Sequence, residues 1–204
     1  MNKQSNFDKA ELALAAYATL TAGETRLQIA ALQQDGKGMS AKQAEEFALR
    51  YPTVVTQFND TLAEGGTGTS FSATVFADAS GNLTLAIRGT AEMFGTPNDI
   101  LPTDFDMVTF GAAYDQIVAM VNWWQRATTA SGPVAQYALV RYPNSEATQP
   151  PADAVRLYPI GERHLYLVRT ADAAASGELL AARGVDADGR VDVTGHSLGS
   201  HLAL

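Results

Sequence analysis

The sequence predicts an α/β chain with a mostly parallel central sheet behind N-terminal helices, and three observations carry that expectation. Helical spacing of apolar residues dominates residues 8–51, alternating apolar strands begin at Phe71, and a short apolar strand, Val191–Thr194, runs into a glycine-bounded turn and a second helical run. Apolar residues make up 46% of the 204 and charged residues 18%, enough to build one sizeable core, and the chain reads as a single domain over 1–204.

Residues 1–60 read as a helical N-terminal segment. Leu12, Ala16 and Leu20 fall four apart over 8–20 and line one face. Ser40 and Gln43 have capping-box spacing ahead of Ala44, Phe47, Ala48 and Tyr51, and Pro52 ends that helix. Gly65, Gly66 and Gly68 mark a change of period. Phe71, Ala73 and Val75 then alternate with polar or exposed positions, as Leu83, Leu85 and Ile87 do, and Asp78-Ala79-Ser80-Gly81-Asn82 joins the two strands as a hairpin turn. Residues 92–110, with Gly95, Pro97 and Pro102, read as a loop and candidate flap.

The clearest helix spans 112–127, with Tyr114, Ile117, Val118, Val121 and Trp124 on one stripe. Trp123 and Trp124 differ by 100° around it, so one is expected to pack inward. Residues 134–142 fit helix or strand equally. Pro143, Pro150 and Pro151 suggest an inserted surface loop, 154–160 and 165–170 a hairpin around Gly161-Glu162, and 172–183 a helix ended by Gly184. Asp186-Ala187-Asp188-Gly189 turns the chain into Val191–Gly195, expected as an inner parallel strand.

The bulk chemistry excludes several functions. A formal net charge of −8 with no basic run argues against nucleic acid, whose phosphates need clustered Lys and Arg, and against an electrostatic membrane anchor. Without cysteine there is neither a disulfide nor a thiolate metal site. That suits the cytosol, and equally secretion that avoids an oxidising compartment. Asp8, Lys9 and Glu11 interrupt the N-terminal apolar run, so no cleavable signal is expected there. No stretch nears the roughly 18 apolar residues of a membrane span, and a soluble chain is expected.

Chemistry concentrates in Gly195-His196-Ser197-Leu198-Gly199, a match to G-x-S-x-G. A serine at the tip of a sharp strand-to-helix turn leaves little room for neighbouring side chains, and glycines two before and two after remove the Cβ atoms that would collide. The turn projects the Ser197 hydroxyl as a nucleophile and aims the N–H groups of the next helix at an oxyanion. The pentapeptide alone is weak, since an ordinary tight turn could carry it. The strand before it and the helix-compatible Ser200-His201-Leu202-Ala203-Leu204 after it are what the motif demands.

VTGHSLGSHLAL, taken with LAIRGT, resembles the class 3 lipases of the α/β-hydrolase type, and is similar to bacterial lipases and phospholipases that carry C-terminal calcium-binding nonapeptide repeats. In that family a strand ends in phenylalanine-arginine-glycine-threonine. Here Arg88-Gly89-Thr90 matches, with Ile87 in place of the aromatic residue, and Ser200 stands where glycine is frequent. The resemblance implies an oxyanion hole built from N–H groups of Thr90 and Leu198, a lipid ester as substrate with transient contact to a lipid interface, and no cofactor. It also implies secretion without a cleavable signal, the cytoplasm being the alternative.

The hydrolase chain order is serine, acid, then histidine, so both partners of Ser197 are expected beyond Leu204, in a C-terminal remainder of a longer parent that also completes the sheet. Read as a candidate base, His196 should point away from the hydroxyl, His201 lies a turn down the helix, and His164 sits in a hairpin. Each reads better as packing or surface. Asp99, Asp104, Asp106 and Asp115 read as a solvated acidic loop rather than a calcium site, and no metal is expected. Other chemistries fit the same elbow: an acyltransferase, a peptidase, or a non-catalytic binding domain that retains it.

Overall fold

The structure, a computed structural model, describes residues 3–34, 38–60, 68–89, 114–143, 149–160, 163–182, 191–196 and 198–203. Gly65, Gly66, Thr90, the 92–110 segment, Gly184, the 186–189 turn and Ser197 lie outside the described residues.

Helices α1 (Lys3–Ala15), α2 (Ile29–Leu32) and α3 (Ala41–Arg50) come first, but the N-terminal sixty are not all helical. Strands β1 (Gly23–Glu24) and β2 (Thr53–Asn59) interrupt them. The signal for β2 lies in Thr53-Val54-Val55-Thr56, a β-branched run that packs well on a pleated surface and poorly in a helix. Helix α1 also ends earlier than its apolar spacing suggests. The amides of Tyr17 and Ala18 close three-residue turns on Leu14 and Ala15, so Leu20 reaches the core from a loop. The capping box at α3 forms as its spacing requires: Ser40 Oγ accepts from the Gln43 amide and Gln43 Oε1 from the Ser40 amide.

Strands β3 (Ser72–Ala77) and β4 (Leu83–Ile87) complete the hairpin, and β10 (Val191–Gly195) joins β4 to give the order β1-β2-β3-β4-β10. A mostly parallel sheet is not what forms: β1, β2, β3 and β4 pair antiparallel, and β10 alone runs parallel to its neighbour, Val191 opposite Leu83 through Gly195 opposite Ile87. The physical reason is local. A five-residue turn returns β4 beside β3 in the opposite sense, whereas the parallel partner of β4 comes from more than a hundred residues away. Among the described residues β10 lies at the sheet margin rather than inside it, and Val193 is 38% exposed.

Alternation along β3 and β4 separates two cores rather than core from solvent. Ala73, Val75, Leu83, Leu85 and Ile87 face Trp123, Ala127, Leu179 and Leu202, while Phe76 and Ala86 face Leu12, Ala16 and Phe47. The intervening polar side chains are buried too and satisfied: Ser72 Oγ donates to Asn59 Oδ1 at 2.5 Å, and Thr74 Oγ1 accepts from Gln57 Nε2 at 2.8 Å. Helices therefore cover both faces of the sheet, α1 and α3 on one and α4 (Tyr114–Thr128), α5 (Glu178–Ala182) and α6 (Leu198–Leu202) on the other.

Helix α4 is turned so that Gln116, Trp123 and Ala127 are its most buried residues; of the expected stripe, Ile117 and Trp124 pack against the same core while Val121 is exposed. Two polar bonds hold this rotation: Gln116 Nε2 donates to the Thr69 carbonyl at 3.0 Å and Trp123 Nε1 to Glu178 Oε1 at 3.0 Å. Trp123 is the inward tryptophan, stacked on Phe58.

Residues 134–142 resolve as strand. After β5 (Pro133–Val134), β6 (Tyr137–Pro143) pairs with β8 (Arg163–Arg169), which pairs with β7 (Val155–Ile160) in a second, antiparallel sheet. Asn122 clips this sheet to α4, its amide donating to the Tyr137 carbonyl at 2.8 Å and accepting from the Tyr137 N–H at 2.9 Å. The helix expected over 172–183 is cut to α5. Its first part is β9 (Ala173–Ala174), paired with β5, and Gly177 at φ +61 breaks the run.

Candidate active site

The site is assembled where β4 and β10 end side by side. Gly195 sits opposite Ile87, so the strand ends that lead into Arg88-Gly89 and His196 lie side by side despite their separation in sequence. The chain leaves β10 at Gly195 and enters α6 at Leu198. Two residues of sequence lie between the strand end and the helix start, a spacing compatible with the motif.

The glycines are held in that turn by sterics. A Cβ on Gly195 would lie 2.2 Å from the Gly199 carbonyl oxygen and 2.8 Å from the Ser200 nitrogen. A Cβ on Gly199 would lie 2.3 Å from the Ile87 carbonyl oxygen and 3.0 Å from the Arg88 carbonyl carbon. The second contact matters most, because it presses the elbow directly onto the strand that carries Arg88-Gly89. Ser200, where the resembled family has glycine, fits by turning its hydroxyl to donate to the Gly195 carbonyl at 2.8 Å. The departure from the family pattern thus closes the turn with an extra bond.

Two elbow amides differ in availability. The Gly199 N–H donates to the His196 carbonyl at 2.9 Å, so it is committed to the turn and cannot serve an oxyanion. Leu198 is the first residue of α6, where helical geometry supplies no acceptor four residues back. Ser197, Thr90 and the side chains of Leu198 and His201 lie outside what the structure describes. Gly89, immediately before Thr90, is buried.

His196 is exposed, and its Nδ1 lies 3.0 Å from the hydroxyl of Tyr17, with the rings edge to face. Tyr17 follows α1, which packs on β10; the Thr194 hydroxyl donates to the Lys9 carbonyl at 3.2 Å. Burial pushes the Tyr17 phenol above its ordinary range, against the opposing pull of a backbone hydrogen bond from Gly89 and the charge of Arg88. Sequence reasoning missed Tyr17 altogether, since nothing local in Ala15-Ala16-Tyr17-Ala18 marks a contact 179 positions away.

The other histidine with a described ring belongs to the second sheet. His164 lies in β8, its Nδ1 3.4 Å from an Arg156 guanidinium nitrogen. Of the four acidic residues expected to form a loop, Asp115 falls in the first turn of α4, where burial raises its carboxyl and Arg141 pulls it down; Asp99, Asp104 and Asp106 lie outside the described residues. No helix among the described residues is long and apolar enough to cross a membrane. No family model, curated protein or solved structure matches the chain.

Proposed function

We propose that this chain carries the nucleophile and oxyanion side of a serine ester hydrolase, with Ser197 as nucleophile. The observation that carries the reading is the double close approach at the turn: Gly195 against Gly199, and Gly199 against the Ile87–Arg88 backbone. An ordinary turn needs glycine for its dihedral angles. This one needs it for lack of space, at both positions the nucleophile motif reserves for it. We propose further that the β4–β10 pair belongs to the parallel part of an α/β-hydrolase sheet.

In this reading the Ser197 hydroxyl attacks the ester carbonyl, a histidine takes its proton, and the oxyanion accepts hydrogen bonds from the N–H groups of Thr90 and Leu198, each about 3 Å away. Collapse expels the alcohol, which receives the proton, and leaves an acyl group on Ser197. Water then releases the carboxylic acid by the same steps in reverse roles. The engagement of His164 with Arg156 and of His196 with Tyr17 supports a base that follows Ser197 in the chain, as the resemblance implies. Lipid esters as substrates rest on the resemblance of Arg88-Gly89-Thr90 and the elbow to the class 3 lipases.

The test is hydrolysis of p-nitrophenyl and glycerol esters by the full-length protein beside its Ser197→Ala variant, with fluorophosphonate labelling as a second readout. Turnover should fall by roughly 10⁴-fold or more in the variant, and labelling should vanish. Undiminished turnover without Ser197 would remove the nucleophile and with it the reading.

A further inference from the structure

The sheet end that carries β4 and β10 into the candidate site also gathers the last residues of β2. Asn59 stands opposite Ser72, Ala73 opposite Ile87, and Ile87 opposite Gly195, so β2, β4 and β10 run one way and finish at the same margin. Pairing of β2 with β3 continues past the strand. The Asp60 amide donates to the Phe71 carbonyl at 2.8 Å and the Ser70 amide to the Asp60 carbonyl at 3.1 Å. Asp60 is buried, only 3% exposed, and its carboxylate turns back on the same corner. Its Oδ2 accepts from the Thr69 amide at 3.3 Å and from the Thr69 hydroxyl, whose oxygen accepts from the Phe71 amide at 3.3 Å. The next residue is Ser72, whose hydroxyl is held by Asn59 and whose carbonyl accepts from the Arg88 amide at 3.0 Å.

We infer that Asp60 is a positioning residue: through the Thr69–Ser72 corner it fixes the strand end from which Arg88-Gly89 leads to the oxyanion donor. Its function rests on the hydrolase reading above; its geometry does not. Three further observations support the role. Taking a carboxylate out of water is costly, and the bonds it accepts offset that cost only while their donors stay in place, so Asp60 makes the corner rigid. Ser70 holds φ +60, a left-handed conformation unfavourable to a residue with a Cβ, and the bonds on either side of it over-determine that strain. Arg88 is also backbone that the elbow presses on, since a Cβ on Gly199 would lie 3.0 Å from its carbonyl carbon. A displaced Arg88 therefore disturbs both strand ends.

Oxyanion stabilisation depends on donors being held where charge develops, so a looser strand end should cost rate rather than substrate affinity. Thr69→Val keeps the side-chain shape and the amide but removes the hydroxyl that joins Asp60 to Phe71, whereas Thr69→Ser keeps that hydroxyl. Asp60→Ala removes the carboxylate itself. Thr56→Val is the matched control, because it deletes another hydroxyl bond from β2 to a carboxylate, Thr56 to Glu178 Oε2 at 3.2 Å, on a residue that does not pair with Ser72. Two readouts are taken on the full-length protein: hydrogen exchange at the Arg88 amide, and kcat and KM for ester hydrolysis per fluorophosphonate-titrated site. In Thr69→Val we expect Arg88 exchange roughly tenfold faster, kcat roughly tenfold lower and KM within about twofold. Thr69→Ser and Thr56→Val should keep wild-type values of both. Asp60→Ala should lose at least as much as Thr69→Val, and the double variant no more than Asp60→Ala alone.

Unchanged Arg88 exchange in Thr69→Val overturns the inference, as do an equal change in Thr56→Val, additive losses in the double variant, or a loss confined to KM. If Asp60→Ala does not fold, the Thr69 pair and the Thr56 control decide without it. The hydrolase reading is scored separately. Turnover that survives Ser197→Ala, or its absence in the wild type on every ester, sinks that reading, while Arg88 exchange still decides whether Asp60 holds the strand end.

Discussion

The elbow and the β3–β4 hairpin both turn on glycine, for opposite reasons. At the hairpin Gly81 takes φ +83, and a Cβ there would meet nothing within 4 Å. At the elbow neither Gly195 nor Gly199 adopts a left-handed conformation, yet a Cβ on either would strike backbone at 2.2 or 2.3 Å. One glycine answers a dihedral demand in open solvent, the other two a volume demand at a packed junction. A hairpin turn has only to reverse the chain. The elbow has to bring a helix start against a neighbouring strand, and that contact is worth preserving only if the junction itself does something.

The difference is sharpest on substitution. Gly199→Ala must displace the Ile87–Arg88 backbone, which is fixed within the sheet, and Gly195→Ala must displace the start of α6. Because the colliding atoms are backbone on both sides, no rotamer change relieves them. Each should destabilise by on the order of 3 kcal/mol or more, read from the urea midpoint, and abolish fluorophosphonate labelling. Labelling retained at wild-type rates in either variant would show that the turn has slack, and the elbow reading would lose its support.

Gly81→Ala is the control for the other kind of glycine. It meets no neighbour, so only the left-handed dihedral penalty applies, about 1 kcal/mol after the reduced entropy of the unfolded chain is set against it. Gly81→Asn should cost less, because asparagine tolerates that region better. Esterase activity should not change in either variant. A loss of activity at Gly81 would mean that the hairpin and the elbow are coupled, and would blunt the comparison.

Much of this was legible in the sequence where a local rule governs. Ser40 and Gln43 form their capping box, Asp78–Asn82 turns the hairpin, and a strand over Val191–Gly195 is followed by a helix from Leu198. The reading failed where distant partners decide. Nothing near Gln116 says that its amide will reach the Thr69 carbonyl, so hydrophobic spacing on α4 finds Ile117 and Trp124 but not the buried Gln116. Ser72 and Thr74 look like solvent-facing positions because periodicity cannot tell a second buried face from water. The antiparallel run before β10 is legible only as one hairpin, because the β-branched signal of β2 is a few residues long and sits directly after the helical spacing of α3. Tyr17 left no signal, its partners being brought to it by the whole sheet.

The smallest expected effect belongs to the hairpin's own carboxylate. Burial pushes Asp78 up, but hydrogen bonds from the Asn82 side chain and backbone, from Ser80 and from Gly81 outweigh it and hold the carboxyl below its ordinary range. The Ser80 and Asn82 amides donate to Oδ1 at 2.8 and 2.9 Å and the Asn82 side chain to Oδ2 at 2.8 Å. A folded-state pKa below the unfolded one means that the ionised form is favoured by folding. The stabilisation is therefore full above the unfolded value, near 3.9, and drains away as pH falls through it toward the folded value. Asp78→Asn keeps an oxygen that can accept from Ser80 but loses the charge and one acceptor for Asn82. The turn is exposed enough for water to screen it, so the difference from wild type should be only about 0.5 kcal/mol at pH 7. Paired urea titrations at pH 7 and pH 3 should show that gap closing at the lower pH. A gap that is constant with pH would assign the loss to shape rather than charge. Loss of ester hydrolysis in Asp78→Asn would place the hairpin turn, like the elbow, among the parts that hold the site.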